Sequence, residues 1–317
     1  MSRRVFIDGH VGTTGLRIRQ LLADHDGIEL VTLPEAQRKD ESARREAINR
    51  SDVCVLCLPD DAAVQAASWV ENAGTRLLDA STAHRVNPAW VYGLPELCSE
   101  QRDAIRTGQF VSNPGCYPQA VILAMRPLIR AGIVSAELPL SVHSLSGYSG
   151  GGRSLIERWE AESLGLLTLR HEAPYALDRV HKHVPEMTLY SGLQNEPHFV
   201  PAVGPFYCGM RTELSLPVQA LSKGASAKAI WEVLDACYRA EPFVEVERLK
   251  EPLESDEMTF DPQAFNQTNQ LSIAVVPNPL GHILLIVRYD NLGKGAAGSA
   301  VQNLNLMLGL EETTGLA

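Results

Sequence analysis

Cysteine is scarce: six residues in 317, at no regular spacing, which excludes a small disulfide-stapled fold. No apolar run reaches the roughly 18 residues of a membrane span, and no basic leader with an apolar core precedes the first strand-like segment. The expected setting is therefore the cytoplasm, with reduced thiols. Excess positive charge is also missing. Lys and Arg number 28 against 38 Asp and Glu, a net charge of −10, so nucleic acid and anionic membranes are not expected as partners. The net sign leaves room for a local cationic pocket. Repeats and low-complexity tracts are absent. With 45% hydrophobic and 21% charged residues the composition is globular, and disorder, collagen and coiled coil are excluded. The length exceeds one typical domain and falls short of three. Cys54 and Cys57 form a CxxC, but they lie in Asp52–Leu58, which reads as a buried strand. Three positions apart on a strand they face opposite ways, and no second CxxC completes a metal site. No metal is expected.

What is present is an alternation of short apolar strands and amphipathic helices. Arg3–Asp8 reads as a strand, Leu16–Ala23 as a helix and Ile28–Leu33 as a strand. A helix lies within Glu35–Arg50, a strand at Val53–Leu58, a helix at about Ala62–Ala73, and strands at Arg76–Asp79 and Phe110–Ser112. This is the βαβα pattern of a doubly wound parallel sheet. After about residue 135 strand-like segments dominate: Leu138–Ser144, Phe199–Ala202, Met210–Leu216, Leu271–Val276 and His282–Tyr289, with one helix near Ser226–Ala240. That mixture suits an α+β domain. A last helix, after Asn291–Gly295, returns to the first domain. The expected division is a first domain over 1–117, completed by about 291–317, and a second over 118–290.

Gly9, Gly12 and Gly15 stand between the first strand and the first helix, with Thr13 and Thr14 inside the motif. GxxGxxG in a strand–turn–helix context is a variant of the dinucleotide fingerprint. Glycine permits the tight turn and the approach of a pyrophosphate, and the helix N-terminus supplies N–H groups to the anion. Shortly after the second strand, Arg38 and Lys39 favour the 2′-phosphate of NADP, while Glu35 points weakly towards NAD.

In Phe110-Val-Ser-Asn-Pro-Gly-Cys-Tyr-Pro-Gln, the Asn113-Pro114-Gly115 turn places Cys116 just ahead of an apolar helix beginning near Pro118. A cysteine at a helix N-terminus has its pKa lowered from about 8.5, the arrangement of an activated nucleophile. His181 and His183, two apart before Val-Pro-Glu, share one face of an extended segment and suit proton transfer near neutral pH. Ser146-Gly147-Tyr-Ser-Gly-Gly-Gly-Arg153 is a Gly/Ser loop ending in a cation, able to wrap an anion.

Together these segments resemble the N-acetyl-gamma-glutamyl-phosphate reductase family in its shorter form. The resemblance rests on Gly9–Gly15, Asp79–Arg85, Tyr92-Gly-Leu-Pro-Glu96, Ser112–Pro118, Ser146–Arg153, His181–Glu186 and Asn291–Gly298, in family order over nearly the whole chain. It implies a Rossmann domain followed by an α+β domain like that of glyceraldehyde-phosphate dehydrogenase. It implies NADPH-dependent reduction of N-acetyl-L-glutamyl 5-phosphate to the 5-semialdehyde and phosphate, in arginine biosynthesis. Cys116 becomes the nucleophile that forms a thioester, and His181 and His183 the family's histidine pair. Gly9–Gly15, Ser81, Asn291 and Gly295 fall on the cofactor side. Arg85 and Arg153 are alternatives for holding phosphate, near Ser146 and Gly147. A homo-oligomer, dimer or tetramer, is implied. Two rivals remain: a related reductase acting on aspartyl or aminoadipyl phosphate, and a nicotinamide-sensing regulator without catalysis.

Overall fold

The computed structural model describes residues 2–23, 25, 27–249 and 260–317. The chain divides into two units, Met1–Gly115 with Ala296–Ala317, and Cys116–Gly295. Both junctions fall a little away from those expected, so that Cys116 opens the second unit and 291–295 stay with it.

The first unit contains β1 (Arg3–Asp8), α1 (Thr13–Leu21), β2 (Ile28–Val31), α2 (Glu41–Asn49), β3 (Val53–Leu56), α3 (Asp60–Ala67), β4 (Arg76–Asp79), β5 (Val91–Tyr92), α4 (Gln101–Thr107) and β6 (Phe110–Ser112). The second contains α5 (Cys116–Arg130), β7 (Ser141–Gly147), α6 (Gly152–Glu160), β8 (Ala173–Pro174), α7 (Val184–Ser191), β9 (His198–Gly204), β10 (Met210–Leu216), α8 (Ala227–Tyr238), β11 (Val244–Val246), β12 (Leu271–Pro277) and β13 (Ile283–Tyr289). Finally α9 (Gly298–Leu308) returns to the first unit.

The strands of the first unit are all parallel, in the order β2-β1-β3-β4-β6-β5. Alternation along each strand builds the two faces. Val5, Ile7, Val53, Val55 and Leu78 meet Ile18 of α1 and Ala300, Val301 and Leu304 of α9. Phe6, Cys54, Leu56 and Leu77 meet Ile48 of α2 and Ala63 and Ala66 of α3. The CxxC obeys the same rule: Cys54 lies on one face and Cys57 on the other. Burial raises the Cys54 thiol well above its ordinary value and pushes Cys57 up to about 12, so neither is a thiolate.

Strand order reverses between β1 and β3, the switch point where ligands of such sheets bind. The glycine turn leaves β1 at this point. Two elements of this unit were not legible: β5 is two residues long, and α4 buries only Ile105, so neither carries a periodic signal.

In the second unit a mixed sheet runs β11-β12-β13-β10-β7-β9-β8. The pairs β10–β13, β10–β7, β12–β13 and β8–β9 are antiparallel, whereas β7–β9 and β11–β12 are parallel. Helix α5 packs against β10 and β13 and beside α7 and α8, and α8 also lies on β11 and β12.

Candidate active site

Cys116 is not merely ahead of a helix but is its first residue, because the Asn-Pro-Gly turn ends where α5 begins. The helix buries Tyr117, Gln119, Ala120 and nearly every residue through Met125, which fixes the position of its first turn. Two further contacts hold that turn. The Tyr289 hydroxyl donates to the Cys116 carbonyl, and Gln119 Nε2 donates to the Lys294 carbonyl at 2.8 Å. A Cβ at Gly295 would stand 3.1 Å from the Cβ of Cys116, so this glycine lets the chain pass close to the thiol-bearing residue.

Cys116 lines a cavity of about 520 Å³ within the second unit, together with Tyr117, Ser146, Gly147, Tyr175, His181, Lys182 and His183. Leu155, Trp159, Leu166, Ala173, Pro174 and Val203 form an apolar wall. The histidines were expected on an extended segment. They lie instead in the turn that starts α7, where Pro185 occupies the first helical turn and His183 has a helical backbone. The turn still brings them together: their ring centroids are 4.9 Å apart, and Tyr117 meets each at 5.8 Å.

Both nitrogens of His181 are engaged. Nδ1 accepts the His183 backbone N–H at 3.3 Å, which places the proton of the neutral ring on Nε2. Nε2 faces the Tyr175 hydroxyl at 3.3 Å, and that hydroxyl donates to the Tyr117 hydroxyl at 3.3 Å. Partial burial, reinforced by the Lys182 charge, lowers the His181 pKa to about 4. Burial pushes Tyr175 up to about 12 and Tyr117 well above its ordinary value. At neutral pH all three side chains are uncharged.

Neither arginine expected at the phosphate lines the cavity. Arg153 is exposed and pairs with Glu157 at 2.7 Å, whereas Arg85 lies in the first unit and donates to the Ala80 carbonyl at 3.0 Å. Helical geometry explains the first miss. Positions 155, 158 and 159 of α6 share the face that lines the cavity, and 153 and 157 pair away from it. Arg158 and Tyr175 are thus lining residues that sequence reasoning passed over, and Lys182 lines the cavity between the two histidines. The i, i+3, i+4 spacing of Leu155, Arg158 and Trp159 was the available signal.

The glycine turn belongs to the first unit. Gly9 has φ +87°, and a Cβ there would lie 2.2 Å from the Cys57 carbonyl oxygen, so no other residue fits. Gly12 caps α1, with Thr13, Thr14 and the buried Gly15 in its first turn. No side chain caps this helix and no acid stands in its first turn, so its N–H groups and dipole suit a diphosphate. Arg38 lines a small cavity with Gly9, His10 and Val11 and is paired with Glu35, whereas Lys39 is exposed. Ser81 is committed to Asp79, through its N–H at 2.9 Å and its hydroxyl at 2.7 Å. Asn291, in the second unit, accepts from the Gly209 N–H and donates to Ser149 Oγ, so its amide ties the loop after β7 to the segment that leads into β10.

Comparison with known proteins decides the family. Residues 4–105 match the model "Semialdehyde dehydrogenase, NAD binding domain" and 116–291 match "Semialdehyde dehydrogenase, dimerisation domain". An N-acetyl-gamma-glutamyl-phosphate reductase of Trichormus variabilis is 45% identical over 99% of both chains. N-acetyl-gamma-glutamyl-phosphate reductase 2 of Pseudomonas putida is 44% identical over 98% of both. The chain belongs to the N-acetyl-gamma-glutamyl-phosphate reductase family. Members of this family are oxidoreductases with a nicotinamide-binding domain, and the uncapped first turn of α1 fits the cofactor's diphosphate. The fold is also that of aspartate semialdehyde dehydrogenase II of Vibrio cholerae in complex with ASA, at a TM-score of 0.72, 17% identity and coverage of 97% and 98%. The enzyme of Candida albicans, solved with NADP, gives 0.64 at 15% identity, covering 97% and 99%. At these identities the likeness is one of fold. Among the described residues no helix is long and apolar enough to cross a membrane, and no cluster of three or more His, Cys, Asp or Glu could hold a metal.

Proposed function

We propose that the protein reduces N-acetyl-L-glutamyl 5-phosphate to N-acetyl-L-glutamate 5-semialdehyde, releasing phosphate, with NADPH as reductant. The observation that carries this reading is the cavity that joins Cys116, two histidines and two cations and has no carboxylate on its wall. Such a wall suits an anionic acyl phosphate, and the full-length relatives bear that enzyme's name.

Cys116 Sγ attacks the acyl carbon. The N-terminal end of α5 presents N–H groups and positive dipole to the oxyanion. The bond from carbon to the phosphate oxygen breaks, phosphate departs, and a thioester remains on Cys116. When bound, a reduced nicotinamide supplies hydride to an acceptor carbonyl. The resulting thiohemiacetal collapses: its C–S bond breaks, the aldehyde leaves and Cys116 is restored. His181, held through both nitrogens, orients the site, and His183 on the same cavity wall moves the proton at the substrate oxygen. Arg38 beside the glycine turn pairs with the 2′-phosphate; its bond to Glu35 engages a carboxylate that would favour NAD, and Asp8 on the same cavity wall is engaged by Arg44. The protein acts in the cytoplasm as a homo-oligomer, in keeping with the dimerisation-domain match.

The test is phosphate-dependent reduction of NADP by N-acetylglutamate semialdehyde set against aspartate semialdehyde. We expect a large preference for the acetylated aldehyde. Equal or greater turnover of aspartate semialdehyde overturns the substrate reading.

A further inference from the structure

Arg158 and Lys182 are the cavity's two cations, no Asp or Glu lines it, and neither cation enters an ion pair among the described residues. Arg153, five residues before Arg158 on α6, is by contrast paired with Glu157. An uncompensated cation pair on a concave wall concentrates anions. The two do not stand alike. Lys182 lies between the two histidines, close enough for its charge to act on His181. Arg158 rises from α6 next to Trp159, which packs with Tyr148, Val203, Leu155, Leu166 and Ala173. Arg158 is exposed and reaches the cavity from α6, the helix that also brings Leu155 and Trp159 to its apolar wall, where the part of a ligand that does not react would rest.

We propose that Arg158 is a specificity-determining residue that binds the substrate's α-carboxylate, while Lys182 serves the phosphate beside the histidines. This rests on the reaction proposed above and deepens it. The substrate carries two anionic groups separated by methylenes, and the wall offers two cations from different segments, Lys182 between the histidines and Arg158 on the helix that carries Leu155 and Trp159. A guanidinium matches a carboxylate with two parallel hydrogen bonds, and an ammonium answers a phosphate as a point charge. The apolar residues beside Arg158 take the acetyl group.

The experiment compares two aldehydes in the oxidative direction with phosphate and NADP: N-acetylglutamate semialdehyde, and 4-acetamidobutanal, the same molecule without its carboxylate. The wild type prefers the carboxylated aldehyde. Arg158→Met lowers that preference, as a ratio of kcat/KM values, by about 10- to 100-fold, through KM more than kcat. Arg158→Lys recovers part of it, since a point charge remains. Lys182→Met raises the KM for phosphate more than that for aldehyde. An unaltered ratio in Arg158→Met, or equal losses on both aldehydes, overturns the assignment while the reaction itself stands. A wild type that turns over neither aldehyde overturns the reaction and the assignment with it.

Discussion

A thiol, two imidazoles and two phenols share one cavity wall, and their order in the reaction is testable residue by residue. Cys116→Ser abolishes turnover and spares cofactor binding, because the glycine turn lies in the other unit. A serine variant with a tenth of the wild-type rate removes Cys116 from the chemistry. In a quench experiment His183→Asn releases one phosphate per subunit and then stalls, since phosphate leaves without help while the alkoxide needs a proton. General acid catalysis is worth on the order of 10²- to 10⁴-fold. Loss of the burst in His183→Asn as complete as in Cys116→Ser assigns the ring to thiol activation instead. The His181 pKa of about 4 arises first from burial and second from Lys182, so Lys182→Met raises its NMR titration midpoint without restoring the ordinary value of about 6.5. An unmoved midpoint removes Lys182 as a cause. The sign for stability follows. An unfolded chain protonates His181 near pH 6.5 and the folded one only near 4, so this contribution is full above about pH 6.5 and is lost as pH falls through 4. On the cofactor side, neutralising Arg38 raises KM for NADPH and leaves NADH nearly unaffected; equal use of both cofactors by the wild type sinks the preference.

At the scale of elements, the sequence was legible where a local rule acts alone. Strand alternation placed Cys54 and Cys57 on opposite faces. The Asn-Pro-Gly turn located the start of α5 to within two residues. Legibility failed where tertiary contacts decide. The histidine rings meet because α7 begins at that turn, not because of strand alternation, and no window of sequence reveals that start over an extended run. Arg153 attracted attention as the end of a glycine loop, yet the register of α6 pairs it with Glu157 and sets Arg158, itself exposed, on the cavity wall. The hydroxyl chain from Tyr117 through Tyr175 to His181 joins three segments and leaves no trace in spacing. Helix α9 is a converse case, since its apolar positions foretold a return to the first unit. Leu304 is fully buried there among Ile18, Val5 and Val301. Leu304→Ala should therefore cost about 2–5 kcal/mol in urea unfolding of that unit. A loss below about 1 kcal/mol would mean that α9 contributes little to this core.

At the scale of the whole molecule, the two units differ in how the chain supplies them. The second is one uninterrupted run, Cys116–Gly295, whereas the first takes its core from both ends of the sequence. Ala300, Val301 and Leu304 fill the face of the parallel sheet that α1 covers only in part. During translation the ribosome delivers residues in order, and a nascent chain folds as its domains emerge. The nicotinamide-binding sheet, though made first, must wait with one face bare until the final helix leaves the exit tunnel, while the second unit can already close. Chains arrested on the ribosome with residue 295 just exposed should yield a protease-resistant fragment from the second unit and none from the first. Early protection of the first unit would show that its sheet closes without α9.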